Sequence, residues 1–140
     1  MQDLNRRSAI TLGLTVATAA PFAVLPTLAA SETYAADVGK EIMPGIRQVE
    51  LGEWPVKLGG YTKVVVNDYL FAPGAAFPAE SMKNDMLCQI MEGEISTTQD
   101  GKMFTSTAGK AYSCVTGMVA GDKNASSAPA IMRVIDLLTA

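Results

Sequence analysis

From Ile46 to the C-terminus the chain is a succession of short β-like runs, each cut off by glycine or proline. This punctuation restricts the fold more than any other feature. Ile46 to Leu51 sets Ile46, Gln48 and Glu50 against Arg47, Val49 and Leu51, an imperfect strand alternation. Trp54-Pro55 and Gly59-Gly60 read as turns. Tyr61 to Phe71 is rich in Val, Tyr and Phe and reads as a strand, broken by Pro73-Gly74. Met86 to Met91 is another apolar run, and Gly93 links it to Glu94 to Thr98. Asp100-Gly101 is a hairpin signal leading into Met103 to Thr107. Lys110 to Val115 follows Gly109, Gly117 and Gly121 are further turn points, and Ile131 to Leu138 closes the series. Strands at spacings of about ten residues, with almost no helical period, predict an all-β sandwich or barrel.

The first thirty residues have a different texture. Asn5-Arg6-Arg7-Ser8 precedes an uncharged stretch from Ala9 to Ala30, rich in Ala, Leu, Thr and Val. A basic start, an apolar middle and small residues at Thr27, Ala29 and Ala30 suit an export leader cleaved after Ala29 or Ala30. The arginine pair resembles a twin-arginine leader. The other reading is a retained anchor, since roughly twenty apolar residues can cross a bilayer. Pro21 and Pro26 would kink such a helix. The division expected is a leader over 1–30, a tether over 31–45 and one barrel domain over 46–140. Within the tether, Ala35, Ala36, Val38 and Ile42 would also suit a turn of helix. The localisation expected is periplasmic or secreted, or membrane-anchored facing the periplasm if residues 9–30 are kept.

From Ser31 on there are nine basic and thirteen acidic side chains, a balance of −4. That excess of acid argues against a nucleic-acid surface, whose affinity comes from neutralising phosphates. It argues equally against docking on anionic lipid. Histidine is absent. The commonest metal ligand and the commonest general base near neutral pH are therefore missing, and no Ser-His-Asp set exists. Gly59-Gly60 lacks the context of a phosphate-cradling loop, and Asn124-Ala125-Ser126 reads as a chance glycosylation triplet.

Two stretches resemble the paired motifs of the cupin family. The first runs from Pro73-Gly74-Ala75-Ala76-Phe77-Pro78 to Met91-Glu92-Gly93-Glu94. Counted from Gly74, the two histidine slots of the family fall on Glu80 and Met82, the glutamate slot on Met86, and the second glycine on Gly93. The second motif starts at Gly109-Lys110, with Gly117 in the glycine slot, Ala120 in the histidine slot and Asn124 in the asparagine slot. The resemblance implies a single-domain cupin-like jelly-roll barrel and, by the family's habit, a homodimer. In the family the slot residues hold a divalent metal. Here all four are changed, and one carboxylate, Glu80, is too few for that ion. No metal and no cofactor are expected at these slots, and the family's metal-dependent chemistry is not implied.

Several side chains carry two readings each. Met82, Met86 and Cys88 offer soft sulfur ligands for Cu(I), or they fill a barrel interior left apolar by the lost ligands. If Met86 faces inward, alternation puts Cys88 and Ile90 on the same face. Cys88 and Cys114 form a disulfide in an oxidising compartment, or remain buried thiols. Glu80 and Asp85 flank the expected mouth, as a general base or as solvated rim charges paired with Lys83. Tyr61, Tyr69, Phe71, Phe77 and Tyr112 line an apolar pocket or belong to the core. The leading expectation is a non-catalytic module that binds a small apolar or amphipathic ligand or a periplasmic protein partner. The alternatives are a Cu(I) protein using Met82, Met86 and Cys88, a metal-free isomerase or lyase using Glu80, and a membrane-tethered subunit of a larger complex.

Overall fold

Val64, Val65, Val66, Tyr69 and Phe71 give Tyr61–Phe71 the β-branched and aromatic content that suits a pleated surface. This run is a strand at the centre of the larger of two antiparallel sheets. In the computed structural model, which describes residues 31–140, every regular element is a strand. The expected leader, 1–30, lies outside the described residues. The strands are β1 (Lys40–Met43), β2 (Ile46–Leu58), β3 (Tyr61–Phe71), β4 (Ala76–Ser81) and β5 (Asp85–Glu92). They continue as β6 (Glu94–Gln99), β7 (Lys102–Thr107), β8 (Ala111–Cys114), β9 (Val119–Lys123) and β10 (Ala130–Thr139). One sheet has the order β1-β2-β3-β10-β5-β8 and the other β4-β9-β6-β7. This is the all-β arrangement that the punctuation predicted, in the single-domain jelly-roll form that the family resemblance implied.

Strand alternation sorts the larger sheet into two faces. Phe71, Cys88, Ile90, Met132 and Val134 point between the sheets and are buried with Ile46, Ala75, Ile95 and Ala130. Phe77 of β4 closes over this core, standing edge-on to both Tyr69 and Phe71 at 5.3 Å between ring centres. The opposite face holds Asp68, which is buried by the segment before β1. Asp68 accepts two hydrogen bonds from Arg133, at 2.8 and 2.9 Å, and one from the Tyr34 hydroxyl at 2.7 Å. Arg47 donates to the Val38 carbonyl in the same region. Residues 31–39 thus dock on the barrel.

The structure departs from the sequence expectations at four places. Trp54-Pro55 is not a turn: β2 runs on to Leu58, with register slips around Gly52 and beyond Pro55. Proline survives there because β1 pairs with β2 only over Ile46 to Gln48, which makes β2 an edge strand at Pro55, with Trp54 and Leu58 49% and 59% exposed. The helical turn allowed between Glu32 and Gly45 is absent, and Lys40–Met43 pairs with β2 instead. Ala76–Ser81 forms a strand that Pro78 had hidden. Gly121 is not a turn point but lies inside β9, where a Cβ would sit 2.8 Å from the Ala79 backbone nitrogen. The β4–β9 pairing slips between Phe77 and Glu80 at this close approach.

Candidate functional site

The glycines place the site. Gly74, Gly93 and Gly117 all adopt positive φ, at 81°, 72° and 85°, in the turns β3–β4, β5–β6 and β8–β9. With those corners fixed, β4 lies beside β9 so that Glu80 pairs directly with Ala120. The pairing brings the two motifs together on one wall of the barrel. Across from it, Met86 pairs with Cys114 on β8 and with Asp136 on β10, while Cys88 pairs with Val134.

These strands enclose a cavity of about 170 Å³. Glu80, Met82, Met86 and Ala120 all line it, together with Cys88, Cys114, Met132 and Val134. Tyr69, Phe77, Pro78, Asp122 and Asp136 complete the wall. Pro78 and Glu80 are solvent-exposed and form the rim, whereas Cys88, Cys114 and Met132 are buried at the floor. Among the aromatic and aliphatic candidates, Tyr69 and Phe77 line the cavity. Phe71 and Ile90 belong to the core behind it. Tyr112 also sits behind the wall, with its ring 5.2 Å edge-on from Phe104. Tyr61 lies at the end of β3 and donates to Asp85.

Asp122 is the polar centre of the interior. Its Oδ1 accepts from the Tyr112 hydroxyl and from the Thr97 hydroxyl, each at 2.7 Å. The same Tyr112 hydroxyl lies 3.2 Å from the Met132 sulfur. Burial pushes the Asp122 carboxyl up from the usual range, and the two hydrogen bonds pull against that. Burial also raises Asp136, partly offset by a hydrogen bond from Asn84. Both carboxyls therefore hold a proton more readily than an exposed aspartate would. Burial, and then the nearby Asp122 charge, raise the Tyr112 phenol.

Cys88 and Cys114 are free thiols side by side on β5 and β8. The proximity of the two thiols, with burial, pushes the Cys88 thiol up, while the Cys114 thiol is lowered beside it. The Gln99 amide adds a second donor to Cys114 at 3.3 Å. Asp85 sits outside the cavity and ties the β8–β9 turn, accepting from the Thr116 backbone at 2.7 Å and the Thr116 hydroxyl at 3.0 Å. Among the described residues no ion pair joins Lys83 to Glu80 or Asp85.

Asn124, in the asparagine slot, does not face the cavity. It is fully buried and ties its own β9–β10 connection to the end of β3. Its amide nitrogen donates to the carbonyls of Phe71 (3.1 Å) and Ala128 (2.7 Å), and its oxygen accepts from the Ser126 backbone (3.0 Å) and hydroxyl (2.8 Å). A side chain so enclosed offers no acceptor for a glycan.

The arrangement matches solved structures closely enough to define the fold. An RmlC-like cupin from Shewanella frigidimarina superposes with a TM-score of 0.59 at 17% identity, over 70% of this chain and 80% of that one. The chain has a cupin fold. The cupin domain of Schizosaccharomyces pombe Cnp3 gives 0.57 at 15% identity, covering 76% of this chain and 73% of its own. The Cupin_2 domain of an XRE family transcriptional regulator from Enterobacter cloacae gives 0.55 at 17% identity, over 69% and 99%. No protein-family model matches the chain, and no curated protein sequence does.

The divalent metal that cupins hold does not fit this interior. Among the described residues no group of three His, Cys, Asp or Glu is placed to hold a metal ion. At the slots themselves, a rim carboxylate, two thioethers and a methyl group replace the hard and borderline donors such an ion needs.

Proposed function

We propose that this cupin domain is an exported binding module that takes a compact amphipathic molecule into its barrel. The cavity at the converging slots supports the reading most directly. One buried water needs only about 10–15 Å³ of such space. Pockets for drug-sized ligands begin near about 300 Å³. An interior of about 170 Å³ falls between these, the scale of a single six-membered ring. Tyr69, Phe77, Met86, Met132 and Val134 supply apolar contact. Asp122 and Asp136, biased toward the neutral acid by burial, suit a hydroxyl, carbonyl or carboxylic acid better than a cation. The leader-like start of the sequence supports action in the periplasm or outside the cell, or at the membrane if residues 9–30 are retained.

Methyl-labelled methionine makes the test direct, because three of the eight methionines line the cavity. Titration with phenol, cyclohexanol or butyric acid should shift the methyl resonances of Met82, Met86 and Met132 and leave surface Met103 still. Ala120→Trp, which fills the cavity, should remove the shifts. Silence of all three methyls up to about 10 mM of every probe, a range in which weak small ligands register, would sink the reading.

A further inference from the structure

The cavity floor carries a second chemistry. Cys88, Cys114, Met86 and Met132, four sulfur-bearing side chains, line the one cavity. Their placement follows from the pairing register. Met86 stands directly opposite Cys114, and Cys88 is two residues along β5 on the same face. Cys88 and Cys114 are thus diagonal neighbours on adjacent strands, and both line the same cavity. Met132, on β10 beside β5, reaches the same floor from the other side, its sulfur 3.2 Å from the Tyr112 hydroxyl.

We infer that this sulfur floor is a binding site for Cu(I), with Cys88 and Cys114 as the two thiolate ligands and Met86 or Met132 as a thioether third. Thiolate and thioether donors select Cu(I) over divalent ions that prefer oxygen and nitrogen. Cu(I) needs only two or three ligands, so the absence of histidine is no obstacle. The donor set differs from the one suggested by sequence alone, since Cys114 replaces Met82 as a principal ligand. The Gln99 amide, 3.3 Å from the Cys114 sulfur, remains free to donate to a bound thiolate. Binding forms two Cu–thiolate bonds and one Cu–thioether bond, breaks two S–H bonds and releases two protons to solvent. The copper is supplied as Cu(I), so no electron moves. The ion enters by the mouth used by the small ligand, and the inference rests on that reading only for the open route.

The test uses the full chain, reduced by a non-thiol reductant under anaerobic conditions and loaded with Cu(I) against bicinchoninate. One Cu(I) per chain should be retained, with an ultraviolet thiolate-to-copper band and a sulfur-only shell by X-ray absorption. Cys88→Ala and Cys114→Ala, which keep a small apolar side chain in the core, should each weaken retention by about 100-fold or more, and Met86→Leu by about tenfold. Circular dichroism checks that each variant folds. Should one variant fail to fold, the other and the absorption shell still decide. Loss of all copper to the chelator by folded, fully reduced protein overturns the inference. So does retention unchanged in both cysteine variants, which places the copper elsewhere. The phenol titration separates the two readings: methionine shifts persisting in Cys114→Ala uphold the ligand site whatever copper does.

Discussion

Replacing Asn124 by alanine tests whether a residue of the cupin motif acts here as a staple. The side chain is 0% exposed and makes four hydrogen bonds of 2.7 to 3.1 Å, to Phe71, Ala128 and twice to Ser126. Truncation leaves the buried Phe71 carbonyl without this donor, at about 1–2 kcal/mol. Ser126 and Ala128 lie nearer the surface, where water can replace the lost partner, so those three bonds contribute about 0.5 kcal/mol each. The sum is about 3 kcal/mol, a large share of the 5–15 kcal/mol typical of a whole domain. At roughly 4 °C per kcal/mol for a domain of this size, the melting temperature should fall by about 12 °C. Thermal and urea melts followed by circular dichroism measure the loss.

A double-mutant cycle with Ser126→Ala isolates the mechanism. Two of the four bonds run to Ser126. Ser126→Ala removes only the hydroxyl bond, since the other comes from the Ser126 backbone N–H, and should therefore cost about 0.5 kcal/mol less in the Asn124→Ala background than in the wild type. A loss below about 1 kcal/mol for Asn124→Ala, or strict additivity in the cycle, would refute the staple. A large loss of phenol binding with little change in stability would instead make Asn124 part of the site.

Two further substitutions test the close approach of the strands and the buried acid. Gly121→Ala should destabilise by about 1–3 kcal/mol, because its Cβ would meet the Ala79 backbone at 2.8 Å and push β4 from β9. Gly74→Ala meets nothing within 4 Å and should cost only the strain of positive φ, about 1 kcal/mol; equal losses at the two sites would contradict this distinction. Asp122→Asn tests the sign of a raised carboxyl, in a setting where Asp122 faces Tyr112, Cys88, Cys114, Glu80 and Asp136. The folded state holds the Asp122 proton to higher pH than the unfolded chain, so wild-type stability falls as pH climbs from 3.8 through the raised value. Asparagine keeps the acceptor and removes that fall, so its advantage should grow in urea melts as pH rises from 3.8 through the raised value. Asp136, raised in the same sense, keeps part of the slope in the variant. An advantage independent of pH would show that Asp122 is not penalised by burial.

Strand content was legible in the sequence wherever a run depended on its own residues. Tyr61–Phe71 declared itself through β-branched and aromatic side chains, and the glycines at 74, 93 and 117 marked turns because each needs positive φ. The misses share one physical cause, dependence on a partner strand. Pro55 is tolerated because β1 does not reach it and β2 is an edge strand there. Gly121 is required by the backbone of Ala79, which is distant in sequence. The strand at Ala76–Ser81 exists because β9 offers it hydrogen bonds, although Pro78 weakens its local pattern.

The site divides in the same way. The resemblance to the cupin motifs, carried by the spacing of their glycines, named Glu80, Met82, Met86 and Ala120 before any geometry was known. Their consequence could not, because it depends on what stands opposite them. Asp122 was within reach: it follows Ala120 by two residues, and alternation puts both on one face of β9. Reading Gly121 as a turn concealed the strand and the acid with it. Met132, Val134 and Asp136 carry the same period along β10, but period alone does not say which face meets the cavity. Cys114 is the deepest case. Its nearness to Cys88 comes from the β5–β8 register, which sets Met86 against Cys114, and no local residue pattern encodes a register between strands so far apart in sequence. A sulfur floor could thus be suspected from methionine and cysteine counts, yet which sulfurs share it follows only from the fold.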